Sequence, residues 1–265
     1  MLKFSNANAK TEALKQVPEL AEYLKDKRKI YSLDLLSGYS CPYAEKCLSK
    51  ATFDISTGKR KIKDGLKTEF RCFSASQEVQ YNNVYNLRKH NFDTLRQSNN
   101  MDLMLMDSLP KDTGIVRIHV AGDFFSPEYM WAWWLTASEN PDILFYAYTK
   151  SLRYWIDIPN EMPILDNFIL TASYGGRDDY LIDELGLRST KVVFSEAEAE
   201  MLGLEIDHDD SHAARPSMRD QDFALLVHGT QPKGSEAAEA LKLLKKNKVK
   251  HSYNRKKKIK GIAIG

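Results

Sequence analysis

Apolar residues in this chain follow two rhythms, and the change between them comes near residue 114. Before it, Ile30-Tyr31-Ser32-Leu33-Asp34-Leu35-Leu36 has the β-favouring, mostly apolar composition of a strand and stops at Ser37-Gly38. Residues 9–27 read as an amphipathic helix. Residues 51–69, with Thr57-Gly58-Lys59-Arg60-Lys61-Ile62-Lys63 at their centre, read as a polar hairpin or loop. Residues 74–98 read as one long helix, with Ser74 and Ser76 as candidate caps and Val79, Val84, Leu87 and Phe92 turned inward.

After residue 114, short apolar runs alternate with helical segments. Strands are expected at 115–120, 144–148, 168–171, 191–194 and 223–228. Helices follow near Pro127, Ser151, residues 179–186, Ser195 and Ser235. Nearly continuous apolar strands in repeated βα units imply a parallel sheet buried on both faces. About six units, counting the first strand, are too few for a complete eightfold barrel. The expected fold is α/β: a parallel-stranded partial (β/α)6-like barrel over residues 1–248, with a helical insert at 37–110 and a basic tail at 249–265. A flat doubly wound sheet is the alternative, and strand periodicity does not separate the two.

Composition narrows the setting. At 265 residues and 43% hydrophobic, the chain can build one substantial core. A net charge of +2 gives no overall argument for a polyanionic partner. No apolar run reaches membrane-spanning length, and the N-terminus lacks the apolar core of a signal peptide. A cytoplasmic protein with no membrane partner is expected, in a compartment where clustered thiols serve metal or redox chemistry better than disulfides.

The thiols are clustered. Cys41, Cys47 and Cys72 are the only cysteines, all in the loop region that follows the first strand. Structural zinc favours close C-x2-C pairs and four ligands, whereas these cysteines are separated by five and then twenty-four residues. A zinc site would need a histidine, with His119, His212 and His228 as candidates. A 4Fe–4S cluster can be held by three thiolates, its fourth iron left open or met by Asp or His. The cluster is the leading reading, and Cys41, Cys47 and Cys72 are its expected ligands.

In parallel βα folds, chemistry collects at the carboxyl ends of the strands. Those ends read Ala121-Gly122-Asp123-Phe124, Tyr148-Thr149-Lys150-Ser151, Thr171-Ala172-Ser173-Tyr174-Gly175-Gly176-Arg177 and His228-Gly229-Thr230-Gln231. Gly122, Asp123, Thr149, Lys150 and Ser173 are the candidate cofactor-binding residues at a mouth above the cysteines. Individually, each could be an ordinary turn residue. His119 reads equally as a core histidine or a site residue, and Trp131, Trp133 and Trp134 as helix packing. The stretch Asp207-His208-Asp209-Asp210-Ser211-His212 has metal-ligand vocabulary but no metal-motif spacing, so it reads as a solvated acidic loop. The basic run from Lys242 to Lys260 reads as a solvated end with a weak claim to nucleic acid.

The segments Leu36–Pro42 through Cys47, Phe70–Ser74, Arg117–Phe124 and Phe145–Ser151 together resemble the bacteriophage gene product 88 family, over about residues 30–240. More distantly the arrangement resembles radical S-adenosylmethionine enzymes. These place three cluster cysteines after the first strand of a partial barrel and a Gly-rich cofactor motif after the second. Ala121-Gly122-Asp123 stands in that second place, while the compact C-x3-C-x2-C spacing is absent and Cys72 comes from farther along the chain. The gene product 88 resemblance implies no particular function; with the cysteines and the distant radical S-adenosylmethionine resemblance, the expectation is an iron–sulfur protein of phage type, acting in the host cytoplasm on a small-molecule substrate or redox partner, with S-adenosylmethionine as a candidate cofactor. The other class of reading is a zinc-stabilised nucleic-acid-binding or protein-interaction module, motivated by the basic segments at 59–63 and 242–260.

Overall fold

The computed structural model describes residues 1–158 and 163–249. The expected basic tail, apart from its first residue, lies outside them. Ten strands are present among the described residues: β1 (Ser5–Asn6), β2 (Lys29–Leu33), β3 (Ser49–Asp54), β4 (Lys59–Asp64), β5 (Thr113–Ile118), β6 (Leu144–Thr149), β7 (Phe168–Ser173), β8 (Ser189–Val193), β9 (Glu205–Ile206) and β10 (Phe223–Leu226). The helices are α1 (Phe73–Gln80), α2 (Asn82–Arg96), α3 (Met101–Ser108), α4 (Pro127–Ser138), α5 (Leu152–Ile156), α6 (Tyr180–Leu185), α7 (Glu196–Met201), α8 (Ser211–Ala214) and α9 (Glu236–Lys246).

Eight strands form one mixed, mostly parallel sheet in the order β1-β2-β5-β6-β7-β8-β10-β9. Only β1 is antiparallel to its neighbour. The six longer strands, β2, β5, β6, β7, β8 and β10, lie side by side in chain order and all run parallel. A doubly wound sheet reverses its order at a switch point; this one has no reversal. The sheet is nonetheless open, with β1 and β9 at its two edges and no closure between them.

Alternation along the strands shows where the helices went. Val116, Ile118, Phe145, Ala147 and Leu170 pack with Phe92, Leu95, Leu105, Tyr129 and Trp133 from α2, α3 and α4. Ala172 packs with Leu152, Leu181 and Ile182 from α5 and α6. Val193, Ala224 and Leu226 pack with α7 and α9. Seven helices, α2–α7 and α9, therefore cover one face. The other face, through Ile30, Ile115, Leu144, Tyr146, Ile169 and Phe223, meets Leu14, Leu20, Ala213 and Ala214 from the N-terminal segment and α8. A cavity opens on that second face, at the carboxyl ends of the strands.

Several local expectations hold. Ser195 and Ser235 cap α7 and α9, their hydroxyls accepting from Glu198 N at 3.1 Å and Ala238 N at 3.2 Å. Residues 51–69 contain the β3–β4 hairpin. Trp133 and Trp134 are buried in helix packing, and Trp131 stacks on Trp134 at 5.0 Å.

Two helices differ. Residues 9–27 form three 3-10 turns, Thr11–Gln16, Pro18–Leu20 and Glu22–Lys27, rather than one amphipathic helix. Pro18 supplies no amide hydrogen and pushes Val17 to an extended ψ of 112°. Asp26 and Lys27 then take positive φ values of 56° and 62°. The expected helix over 74–98 breaks at Tyr81, whose φ of −122° and ψ of 112° separate α1 from α2. Ser74 and Ser76 are not caps. Cys72 holds the N-cap position of α1 without a side-chain bond, and Ser74 Oγ donates instead to Val120 O at 3.3 Å. The break folds α2 back so that buried Arg88 donates to Ser74 O and Glu78 Oε1, both at 3.1 Å. Phe92 is buried as expected, whereas Val79, Val84 and Leu87 are half-buried.

Candidate functional site

The cysteine loop is fixed by strand ends. After β2, Asp34 Oδ1 accepts from Val120 N at 2.8 Å and Leu35 N donates to Ala121 O at 2.8 Å, locking this exit against that of β5. Ser37 donates through both N and Oγ to buried Glu78, which Arg88 pairs. Gly38 then turns at a φ of +71°; a Cβ there would stand 2.5 Å from Ser49 O. Only glycine fits. Ser40 folds back onto Leu36 O through N and Oγ, and Cys41 Sγ accepts from Gly38 N at 3.3 Å.

The second cysteine is held by β7. Glu45 N and Lys46 N both donate to Gly175 O, at 3.1 and 2.9 Å, and Ala44 bridges Gly176. The third is returned by the hairpin: Glu69 N and Phe70 N donate to Lys46 O, and Cys72 N donates to Ser49 Oγ at 3.3 Å. Gln231, beyond β10, clamps Arg71 on both sides, accepting from its N at 2.6 Å and donating to its O at 3.1 Å. Two stretches of chain, the loop after β2 and the return from the β3–β4 hairpin, thus carry the three thiols to the border of one cavity.

All eight residues singled out from sequence border a single cavity of about 670 Å³: Cys41, Cys47, Cys72, Gly122, Asp123, Thr149, Lys150 and Ser173. That volume is in the usual range for a small-molecule site. The cysteines are free and half-buried. Burial pushes the Cys41 thiol well up, and nearby Asp123, Cys72 and Cys47 push it further. Burial also raises Cys47, opposed by the Lys150 ammonium. Gly122 has a φ of +97°, and a Cβ there would sit 2.6 Å from Ser40 Oγ, so the second strand end can pass beneath the cysteine loop only as glycine. Asp123 joins two strand ends. Its carboxylate accepts from Thr149 Oγ1 and Phe124 N at 2.7 Å and from Lys150 N at 2.8 Å. Burial still holds its pKa up at about 6. Lys150 is itself buried, and its Nζ donates to Ser173 Oγ at 2.6 Å. Among the described residues no carboxylate lies in ion-pair contact with it.

His119 is answered by its surroundings. Its ring packs against Phe124 and Tyr129, with Nε2 3.0 Å from Tyr129 Oη, and burial lowers its pKa to about 3. It is a neutral core histidine that also borders the cavity.

The solvated-loop reading of 207–212 is corrected. Asp207 and Asp210 are buried, at 3% and 0% exposure. Asp210 is paired by Lys10 Nζ at 2.6 Å and by Arg117 Nη1, and Tyr146 Oη and Tyr148 Oη donate to it at 3.1 and 3.3 Å. These cations hold its carboxyl at about 2 against the opposing effect of burial. The acid is buried because its partners come from the N-terminal segment and from alternate positions of β5 and β6. His212 lies between two acids, its Nε2 3.0 Å from Glu205 Oε2 and its Nδ1 3.7 Å from Asp207 Oδ1. Asp207, His208 and Asp209 border the same cavity as the thiols.

Among the described residues, no three His, Cys, Asp or Glu side chains converge as a single metal ion requires. No helix among them is long and apolar enough to cross a membrane.

A family model described as Gene product 88 matches residues 1–249. The Gene 88 protein of Mycobacterium phage L5 is 33% identical over 90 residues, covering 30% of this chain and 38% of that protein. The Gene 88 protein of Mycobacterium phage D29 is 31% identical over the same length, with the same coverage. The aligned part is thus well under half of either relative. No solved structure matches the chain. With the family model spanning nearly the entire chain, including all three cysteines and every strand end around the cavity, this protein belongs to the gene product 88 family.

Proposed function

We propose that this is a phage-type iron–sulfur protein acting in the host cytoplasm, with Cys41, Cys47 and Cys72 holding a 4Fe–4S cluster at the mouth of the strand-end cavity. The carrying observation is that three free thiols, two from the loop after β2 and one returned by the β3–β4 hairpin, border one cavity in a protein with no other cysteine. The donor chemistry fits: thiolates are the ordinary ligands of such clusters. The spacing supports a cluster over zinc. Structural zinc favours close C-x2-C pairs, whereas these cysteines are separated by five and then twenty-four residues.

When bound, the cluster supplies an iron open to substrate or to S-adenosylmethionine, or a site for electron storage. The chain's own residues have separable tasks. Gly38 and Gly122 permit close packing of the loop, and Asp123 and Thr149 fix the β5 and β6 ends. Lys150 places positive charge beside Cys47, where thiolates would otherwise repel one another. Loading must release thiol protons, so uptake weakens as pH falls. The one-directional winding of six parallel strands, with α2–α7 and α9 on one face, supports reading the open sheet as an incomplete barrel of the radical S-adenosylmethionine kind. The cavity on the opposite face is where such a barrel would receive its ligands.

The test is anaerobic purification, a visible spectrum, and assays of iron, sulfide and zinc, beside a Cys72→Ala variant. A brown protein with about four irons and four sulfides, lost in the variant, is the expected result. A colourless protein holding one zinc would replace this reading with the zinc-stabilised module. Adding S-adenosylmethionine to the reduced protein then separates the enzyme, which cleaves it, from a redox or sensor protein, which does not.

A further inference from the structure

The β3–β4 hairpin forms its own two-stranded sheet beside the main one. Its register pairs Lys50 with Lys63, Thr52 with Lys61, and Asp54 with Lys59. Directly paired residues share a face, and faces alternate along each strand. One face therefore carries Lys50, Lys59, Lys61 and Lys63. The opposite face is the docked one: Ala51 is 1% exposed, and Arg60 donates through Nε to Glu78 O at 2.9 Å while lying over the Tyr85 ring. The lysine face is thus turned outward, with Lys59, Lys61 and Lys63 exposed. Beyond them the ribbon's end exposes Phe53 and Ile55, at 64% and 90%.

The charge on this ribbon is not balanced locally. Residues 49–64 hold five cations, Lys50, Lys59, Arg60, Lys61 and Lys63, against two carboxylates, Asp54 and Asp64, in a chain whose whole excess is +2. Asp54 pairs with Lys61 at 3.0 Å, and Lys50 lies over the Tyr39 ring at 4.9 Å. Lys50 and Lys63 stand directly opposite each other, an arrangement that costs stability in an isolated ribbon. Folding alone gives no reason for it; a polyanion lying along the face removes the repulsion. Lysines at every second residue recur about every 6.8 Å, a period that a sugar–phosphate strand can follow. The outward face lacks the row of aromatic side chains on which single-stranded bases stack.

We infer that the outward face of the β3–β4 ribbon binds double-stranded nucleic acid through its phosphates. The inference is independent of the cluster. It is tested with full-length protein by fluorescence anisotropy on a labelled mixed-sequence DNA duplex, between 50 and 200 mM salt. The variant is Lys59→Gln/Lys61→Gln/Lys63→Gln, and its control removes equal charge elsewhere, as Lys15→Gln/Lys25→Gln/Lys242→Gln. Any binding by the basic tail is common to both. The ribbon variant is expected to bind at least tenfold more weakly than the control, with a salt slope shallower by about 2–3. Arginine at the same three positions should restore binding, which separates charge from misfolding. Equal binding by ribbon variant and control overturns the inference. So does a wild-type protein that ignores the duplex, including one that binds phosphatidylserine vesicles instead.

Discussion

Asp123 and Asp210 are both buried and are treated in opposite ways. Asp210 has two cations and two tyrosine hydroxyls around it, and its pKa is held at about 2. Asp123 has one hydroxyl and two backbone amides, with no cation in contact, and its pKa stays at about 6. The pattern extends to their surroundings. Around Asp210 every charge meets its opposite. Around Asp123 sit thiols that burial raises and a Lys150 ammonium with only Ser173 as a side-chain partner. Buried charge that satisfies itself is architecture, whereas buried charge left short of partners awaits something the chain does not supply. This contrast separates the floor of the cavity, where Asp210's partners Lys10, Arg117 and Tyr148 line it, from the end that carries the thiols.

The sharpest way to break the contrast is to remove Asp210. Asp210→Ala leaves Lys10 and Arg117 together without their carboxylate, which costs about 3–5 kcal/mol. Urea or thermal unfolding would read this as a midpoint lowered by roughly 10 °C. A loss below about 1 kcal/mol would mean that the network contributes little and that the floor is not the structural end.

That network was the least legible part of the molecule. Arg117 and Tyr146 lie 93 and 64 residues from the acid they serve. Nothing local to Asp207–His212 marks it as buried. One clue was present: Arg117 interrupts an apolar strand, and Tyr146 and Tyr148 alternate on the next one, so a buried cation faced two hydroxyls and needed a carboxylate. The thiol end was far more legible, because parallel strands place their carboxyl ends together whatever the loop details. Cys41, Gly122, Asp123, Thr149, Lys150 and Ser173 were grouped by that rule alone, and they share one cavity. The rule works from strand direction, which near-continuous apolar runs reveal. It has no power over breaks such as Tyr81, where the buried Glu78–Arg88 pair overrides helical propensity.

A smaller effect tests the two aspartates against each other through pH. Asp123, raised from 3.8 to about 6, holds its proton more tightly folded than unfolded. Its contribution is therefore fully present below about pH 4 and lost as pH rises through 6. Asp210, lowered from 3.8 to about 2, contributes stability above about pH 4 that is lost as pH falls through 2. In metal-free protein, Asp123→Asn should abolish a decline of about 2–3 kcal/mol between pH 4 and pH 7. The measurement is urea unfolding of wild type and variant across that range. A constant difference between them would show Asp123 ionised throughout, like Asp210, and the contrast would collapse.

The smallest expected change in stability belongs to Lys150, and it is the most informative. A lysine that holds the fold together costs stability when its charge is removed. Among the described residues Lys150 has no carboxylate in ion-pair contact; its Nζ donates to Ser173 Oγ, and its charge acts on Asp123 and Cys47 through space. Burying an unpaired ammonium is itself unfavourable. Lys150→Met, which keeps the stem's apolar volume, should therefore leave the unfolding free energy of metal-free protein within about 1 kcal/mol of wild type, in either direction. Iron and sulfide retention during anaerobic dialysis should nonetheless fall, because the charge beside Cys47 no longer offsets the thiolates. If stability drops by several kcal/mol while retention is unchanged, Lys150 is architecture, and the unpaired end of the cavity is no more poised for a ligand than the paired one.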